Sequence, residues 1–179
     1  MTEVQRLETL SGGEGFAPAP LPIRTRRQIV EPEWIDYNGH MNVAYYTLAF
    51  DRALDQVYDL LGIGPALVES HRMGPMALQS QIFYLAEMLE GEPFVADFQL
   101  LDWDAKRIHS VSRLVALRDG AERVAATYET LSINVDLETR RTAPYPADRL
   151  ARIEALGRAQ AGLERPEQVG RPIGIRRKG

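Results

Sequence analysis

The stretch "NVAYYTLAFDRALDQVYDLLG", residues 42–62, decides the fold that we expect for this chain. Its large apolar side chains recur at spacings of three and four residues, which is the period of one helix face; they are Val43, Tyr46, Phe50, Leu54, Val57 and Leu61. The acidic residues fall on a different face; they are Asp51, Asp55 and Asp59. Asn42 is a typical N-cap and Gly62 a typical stop, so the pattern predicts one helix of about 28 Å, long enough to cross a sheet.

The segments around this helix predict strands. Residues 24–32 indicate a first strand that ends at Pro32. The period changes to two in four later segments, which are residues 76–88, 93–104, 106–119 and 121–136. "RDGAE" at 118–122 indicates a hairpin turn, and a last helix fits residues 146–160. Because consecutive hairpins make an antiparallel sheet, and the helix must bury its apolar face, we expect an α+β fold with an antiparallel sheet wrapped around one long central helix.

The composition of the two ends predicts tails around a single domain. Residues 1–21 contain the Gly- and Pro-rich stretch "SGGEGFAPAP" and are expected to be flexible. Residues 162–179 end in "GRPIGIRRKG" and are expected to form a solvated C-terminal tail. The domain itself is therefore predicted to span residues 22–161.

The overall composition excludes several classes of function. The 179 residues include no cysteine, which removes disulfides and thiolate chemistry, and the three histidines lack the spacing of a metal site. A net charge of −4 weighs against nucleic acid as a partner. No apolar run approaches the ~20 residues that span a bilayer, and no signal peptide is evident. We therefore expect a cytoplasmic protein with no cofactor, no metal, no nucleic-acid partner and no membrane partner.

The loop ahead of the helix, "EWIDYNGHMN" at residues 33–42, concentrates the residues that could carry chemistry. Asp36 could be only a turn residue, since Asp, Asn and Gly are common in turns. It could also act as a general base or a nucleophile beside the free N–H groups of the first helical turn, near Val43. Gly39 would let the backbone turn tightly and approach a ligand. The residues alone leave both interpretations open.

The order of elements, together with "IDYNGHMNVAYY" at residues 35–46, resembles the hotdog-fold acyl-CoA thioesterases of the 4-hydroxybenzoyl-CoA thioesterase family. The residues at the positions of that family's loop motif are Asp36, Gly39, His40, Met41 and Asn42. The resemblance covers roughly residues 24–148 and includes the last strand and its exit, at 133–146. It implies a thioester hydrolase with Asp36 and the backbone amide of Val43 as its catalytic groups. It also implies a homodimer or homotetramer with active sites at the subunit interface.

The longer stretch "EPEWIDYNGHMNVAYYTLAFDRALD", residues 31–55, is more similar still to the betainyl-CoA thioesterases of carnitine metabolism. A trimethylammonium acyl group would need aromatic faces around it. The aromatic residues nearest Asp36 are the candidates for that contact, although any of them could simply fill the core; they are Trp34, Tyr37 and Tyr46. We place Gly39, His40 and Asn42 in the substrate-binding loop, with His40 holding the loop through a hydrogen bond and Asn42 starting the helix.

Two alternatives use the same fold. A hotdog enoyl-CoA hydratase would carry Asp and His five residues apart around a proline, whereas Asp36 and His40 are four apart and the proline is missing. A non-catalytic acyl-CoA-binding module would have the same pocket but would hold Asp36 away from the thioester carbon.

Overall fold

The computed structural model describes residues 3–11 and 16–175. The predicted features at 12–15 and at the basic end, 176–179, lie outside the described residues. The described helices are α1 (Leu7–Ser11), α2 (Val43–Leu61), α3 (Pro65–His71) and α4 (Ala147–Gln160), with a short 3-10 helix at Pro32–Trp34. The described strands are β1 (Gln5–Arg6), β2 (Ile23–Arg24), β3 (Gln28–Ile29), β4 (Met73–Tyr84), β5 (Pro93–Trp103), β6 (Arg107–Arg118), β7 (Ala121–Asp136) and β8 (Arg141–Thr142).

The strands form one sheet in the order β1-β2-β5-β6-β7-β4, with β3 added to β5 and β8 added to β7. Every pairing is antiparallel except that of β1 with β2. The four long strands wrap around α2, so the predicted α+β hotdog architecture is confirmed. On the far side from β7, β4 has no strand partner among the described residues.

Helix α2 begins and ends where its sequence predicts. The Asn42 side chain accepts a hydrogen bond from the Ala44 N–H, and Gly62 closes the helix at a φ of 71°. Phe50 is fully buried and stacks on Tyr128 of β7, with ring centroids 5.0 Å apart. The predicted apolar stripe is buried along its length except at its first residue, Val43, which is 59% exposed.

The hairpin between β6 and β7 confirms the turn signal. Asp119 and Gly120 form a two-residue loop with φ angles of 51° and 76°. Positive φ at both positions is the type I′ geometry, whose twist matches that of the flanking strands, and Asp-Gly is a preferred sequence for it. This local match sets the register of β6 and β7 next to the turn.

Two predicted strands were wrong, one in its continuity and the other at its ends. The single strand expected at residues 24–32 is two short strands, because the Thr25 hydroxyl accepts the Ala96 N–H and interrupts regular pairing. The strand expected at 76–88 starts earlier and stops at Tyr84. Beyond that point the chain turns inward, and Met88 becomes fully buried beneath the loop that precedes α2.

The predicted limits of the domain, residues 22–161, stay a prediction. Within the described part of the N-terminal segment, β1 pairs with β2, and the buried Gln5 side chain donates to the Leu21 carbonyl at 2.6 Å. Past α4, the chain crosses the outer face of the sheet. There the Gly170 N–H donates to Glu129 at 2.8 Å. Among the described residues, no helix is long and apolar enough to cross a bilayer.

Helix α4 depends on a close approach at Gly157. A β-carbon there would overlap the ring of Trp103 on β5. We therefore expect Gly157→Ala to destabilise the fold by about 1–3 kcal/mol, although alanine favours helix, because the packed ring has to move. Chemical denaturation measures the difference in the free energy of unfolding. Gly162→Ala is the control, because a β-carbon at Gly162 meets open space. A Gly157→Ala variant as stable as the control would contradict this packing.

Candidate functional site

The loop before α2 is a small closed structure. Ile35 bridges to Met41, and the Asn42 N–H donates to the Trp34 carbonyl at 2.8 Å. The Met41 N–H donates at 2.8 Å to the carbonyl of the buried Met88. The loop is therefore anchored to the segment that leaves β4, which fixes its position relative to the edge of the sheet. Sequence periodicity assigned Met88 to a strand and could not show this role.

Asp36 begins the turn of this closed loop, where its N–H donates to the His40 carbonyl at 3.0 Å, and 13% of its side chain is exposed. One carboxylate oxygen accepts the Asn38 N–H at 2.8 Å, and the other lies 3.4 Å from the amide nitrogen of Asn42. The Gly39 N–H donates to the Asp36 carbonyl at 3.0 Å, and Gly39 has a φ of 79°, as the predicted tight turn requires. The carboxylate is thus oriented by its neighbours while one side of it remains accessible.

The N-terminus of α2 lies beside this carboxylate. Asn42 joins the two, because its amide nitrogen faces Asp36 while its amide oxygen caps the Ala44 N–H at 3.0 Å. Among the described residues, no group accepts a hydrogen bond from the Val43 N–H. An unpaired N–H at a helix N-terminus carries partial positive charge, so this position can stabilise an anionic oxygen.

His40 contacts the loop itself. Its Nδ1 lies 3.3 Å from the Met41 carbonyl oxygen and 4.0 Å from the nearer carboxylate oxygen of Asp36. Both contacts fit the loop-holding role predicted for this histidine. Its place next to a bound substrate stays a prediction.

The three aromatic candidates do not come together within one protomer. Trp34 and Tyr46 are each 4% exposed and belong to the core, whereas Tyr37 is 96% exposed. The Tyr46 hydroxyl donates to the Ala86 carbonyl at 3.3 Å, and burial raises its pKa. Their predicted contacts with substrate therefore stay predictions, and Tyr37 is the one that solvent reaches freely.

Two neighbours of Trp34 were not among the residues predicted to contact the substrate. Tyr45 stacks on one face of its ring at 5.5 Å, and the guanidinium of Arg52 lies 5.4 Å from the ring centroid. Tyr45 and Arg52 are seven residues apart on α2, which places them on one side of the helix. The seven-residue spacing is visible in the sequence. Only the folded position of Trp34 shows that both side chains contact the same ring.

Within the described ranges, no group of three His, Cys, Asp or Glu side chains could hold a metal ion. The chemistry that this site can supply from its own residues is that of a carboxylate, a free backbone amide and an aromatic wall. A carboxylate and an oxyanion-stabilising donor together are the groups that acyl-transfer chemistry uses.

Comparisons with known proteins agree with this chemistry. The model of the thioesterase-like superfamily matches residues 30–153. The betainyl-CoA thioesterase of Pseudomonas aeruginosa is 36% identical over 146 residues, which are 82% of this chain and 91% of that protein. The L-carnitine dehydrogenase/betainyl-CoA thioesterase of Rhizobium meliloti is 31% identical, and the match covers 87% of this chain but 31% of that protein. A hypothetical protein of Staphylococcus aureus, solved in complex with CoA, has a TM-score of 0.80 at 26% identity. The match covers 90% of this chain and 100% of that one.

The hotdog fold and the loop ahead of α2 define an enzyme of the thioester-hydrolase class. The chain belongs to the thioesterase-like superfamily.

Proposed function

We propose that this protein is an acyl-CoA thioesterase that releases a small acyl group, with betainyl-CoA as its substrate, and that Asp36 is its general base or nucleophile. The observation that carries the proposal is the position of Asp36, whose carboxylate is tied through Asn42 to the first turn of α2. The name of the P. aeruginosa relative supports the acyl group, and the CoA in the S. aureus structure supports the carrier.

The proposed reaction begins with the thioester carbonyl oxygen at the Val43 N–H. Asp36 takes a proton from water as the water oxygen attacks the carbonyl carbon, and the oxyanion forms against the amide. Collapse of this intermediate breaks the carbon–sulfur bond, and the CoA thiolate takes the proton that Asp36 holds. In the second route the Asp36 carboxylate attacks the carbon itself and expels the CoA thiolate, and water then attacks the Asp36 carboxyl carbon of the mixed anhydride. A single turnover in oxygen-18 water separates the routes, since only the second transfers an Asp36 oxygen to the product.

The proposed assembly is a homodimer through the free edge of β4, which can pair further into a homotetramer. That strand has no second partner among the described residues, and it carries large apolar side chains in solvent; their exposed fractions are 41% for Met76, 56% for Leu78 and 51% for Tyr84. An edge strand of twelve residues with apolar side chains normally pairs with something. The proposed location is the cytoplasm, which the lack of cysteine fits.

A thiol-release assay across acyl-CoAs tests this proposal. We expect hydrolysis of betainyl-CoA with a higher kcat/KM than of acetyl-CoA or benzoyl-CoA. Water addition to crotonyl-CoA without thiol release would favour the hydratase, and binding of acyl-CoA by calorimetry without thiol release would favour the binding module. Either of those outcomes would contradict the proposed hydrolysis.

A further inference from the structure

The segment between β4 and β5, residues 85–92, contacts the loop before α2 and the first turn of that helix. It is neither helix nor strand, yet two of its carbonyls accept hydrogen bonds from there. The Met88 carbonyl accepts the Met41 N–H at 2.8 Å, and the Ala86 carbonyl accepts the Tyr46 hydroxyl at 3.3 Å. Met41 is 1% exposed and Met88 is fully buried, so water does not reach this contact. The position of the segment therefore sets where the loop lies.

Glu92 closes the end of this segment with both its backbone and its side chain. Its N–H donates to the Leu89 carbonyl at 3.1 Å, and its carboxylate accepts the Leu89 N–H at 3.0 Å. The Glu92 carbonyl accepts the Val30 N–H at 3.0 Å, just ahead of the loop before α2. Glu92 is only 6% exposed, and a carboxylate at that depth is stable in its charged form only when it is paired.

Two arginines at the β6–β7 hairpin supply this pairing. Arg118 donates from Nε to one oxygen of Glu92 and from Nη2 to the other, each at 2.8 Å. Arg123 lies 3.9 Å from the same carboxylate and donates to the Glu87 carbonyl at 2.7 Å. Burial alone would raise the pKa of Glu92, but the Arg118 guanidinium and the Leu89 N–H outweigh it and lower that pKa. A bidentate arginine fixes the orientation of a carboxylate as well as its charge.

We infer that Glu92 is a positioning residue for the proposed reaction, acting through the Met88 carbonyl on the loop that carries Asp36. The inference rests on the proposed function, because it assigns to that reaction a side chain that lies outside the loop and would not touch the substrate.

The path from Glu92 to the site has few steps. Glu92 holds the Leu89 N–H, and the preceding residue, Met88, holds the Met41 N–H. Met41 directly precedes Asn42, whose side chain joins the proposed base to the first turn of α2. A misplacement of about 1 Å between reacting groups can cost on the order of 100-fold in rate, so a loosened path should lower kcat.

Replacing Glu92 by glutamine tests the inference. Glutamine has the shape of glutamate, but its amide nitrogen cannot accept a hydrogen bond from Arg118 or from the Leu89 N–H. We expect kcat to fall about 10- to 100-fold, with KM within about threefold of wild type, on the acyl-CoA that the wild-type protein hydrolyses fastest. Hydrogen–deuterium exchange of residues 35–42 should become at least about tenfold faster, because the Met41 N–H loses its fixed acceptor.

The matched control breaks a similar ion pair elsewhere in the sheet. Asp97 of β5 is 2% exposed and accepts hydrogen bonds from two Arg24 nitrogens, at 2.7 and 2.9 Å. Asp97→Asn should destabilise the fold comparably while kcat and exchange of residues 35–42 stay near wild type, with all assays run well below the Tm of every variant. Glu92→Asp and Arg118→Lys keep the charges and should give smaller losses of kcat. They also keep the test decisive if Glu92→Gln does not fold.

The outcomes separate this inference from the proposed function. Wild-type kcat in Glu92→Gln, or unchanged exchange of residues 35–42, would overturn the inference while leaving the thioesterase in place. Equal losses of kcat in Glu92→Gln and Asp97→Asn would also overturn it, because both pairs would then act only through global stability. No thiol release from any acyl-CoA by the wild-type protein would overturn the proposed function, and faster exchange in Glu92→Gln would still show that Glu92 holds the loop.

Discussion

Replacing Asp36 by asparagine should slow thiol release from acyl-CoA by at least about 100-fold, which is typical of removing a general base. Asparagine has the shape of aspartate and keeps an oxygen that can accept the Asn38 N–H, so the loop should stay closed. Its amide can neither take a proton from water nor attack the thioester carbon. Steady-state kinetics on betainyl-CoA, followed by free thiol, measures the loss, which should appear in kcat.

The matched control for that variant is Glu33→Gln, which removes an exposed carboxylate three residues before Asp36. We expect it to keep wild-type kcat, and both variants should keep wild-type circular dichroism and Tm within a few degrees. If Asp36 only forms the turn, Asp36→Asn will hydrolyse acyl-CoA as fast as the control does. That result would remove the catalytic role from this residue.

Replacing Phe50 by alanine should destabilise the protein by about 3–5 kcal/mol, the range measured for large-to-small changes at buried aromatic residues. Phe50 lies at the middle of α2, fully buried, and stacks on Tyr128 of β7. Its removal leaves a cavity at the contact that holds the central helix against the sheet. The free energy of unfolding from denaturant titration measures the effect.

Thr47→Ala is the control on the same helix, because Thr47 is exposed and should change stability by no more than about 0.5 kcal/mol. A loss below about 1 kcal/mol in Phe50→Ala would contradict the central place of this contact. Comparable m-values for the two variants would show that the denatured state is unchanged.

The parts of the fold that could be predicted from sequence are those fixed by local chemistry. Asn42 and Gly62 mark the ends of α2 because capping depends on neighbouring residues alone. Asp119 and Gly120 mark the hairpin for the same reason. The end of β4 could not be predicted, because an apolar run continues to Met88 and only tertiary packing decides that Met88 goes beneath the loop.

The same distinction applies to the candidate site, where the contiguous loop residues could be predicted and the surrounding contacts could not. The acid-glycine-histidine-amide order of the loop is contiguous in sequence, so Asp36 and its closeness to the helix N-terminus could be predicted. Trp34 and Tyr46 could not be told from core residues, because periodicity does not say which apolar face a ligand reaches.

A crystal structure of the protein with a non-hydrolysable ketone analogue of betainyl-CoA would show whether Asp36 and the start of α2 meet the reacting carbonyl. We expect the analogue's carbonyl oxygen at about 2.7–3.1 Å from the Val43 amide nitrogen, the distance of an oxyanion donor. We also expect an Asp36 carboxylate oxygen within reach of the carbonyl carbon, directly or through one water. An analogue bound with its carbonyl away from the start of α2, and with Asp36 turned from it, would contradict the account.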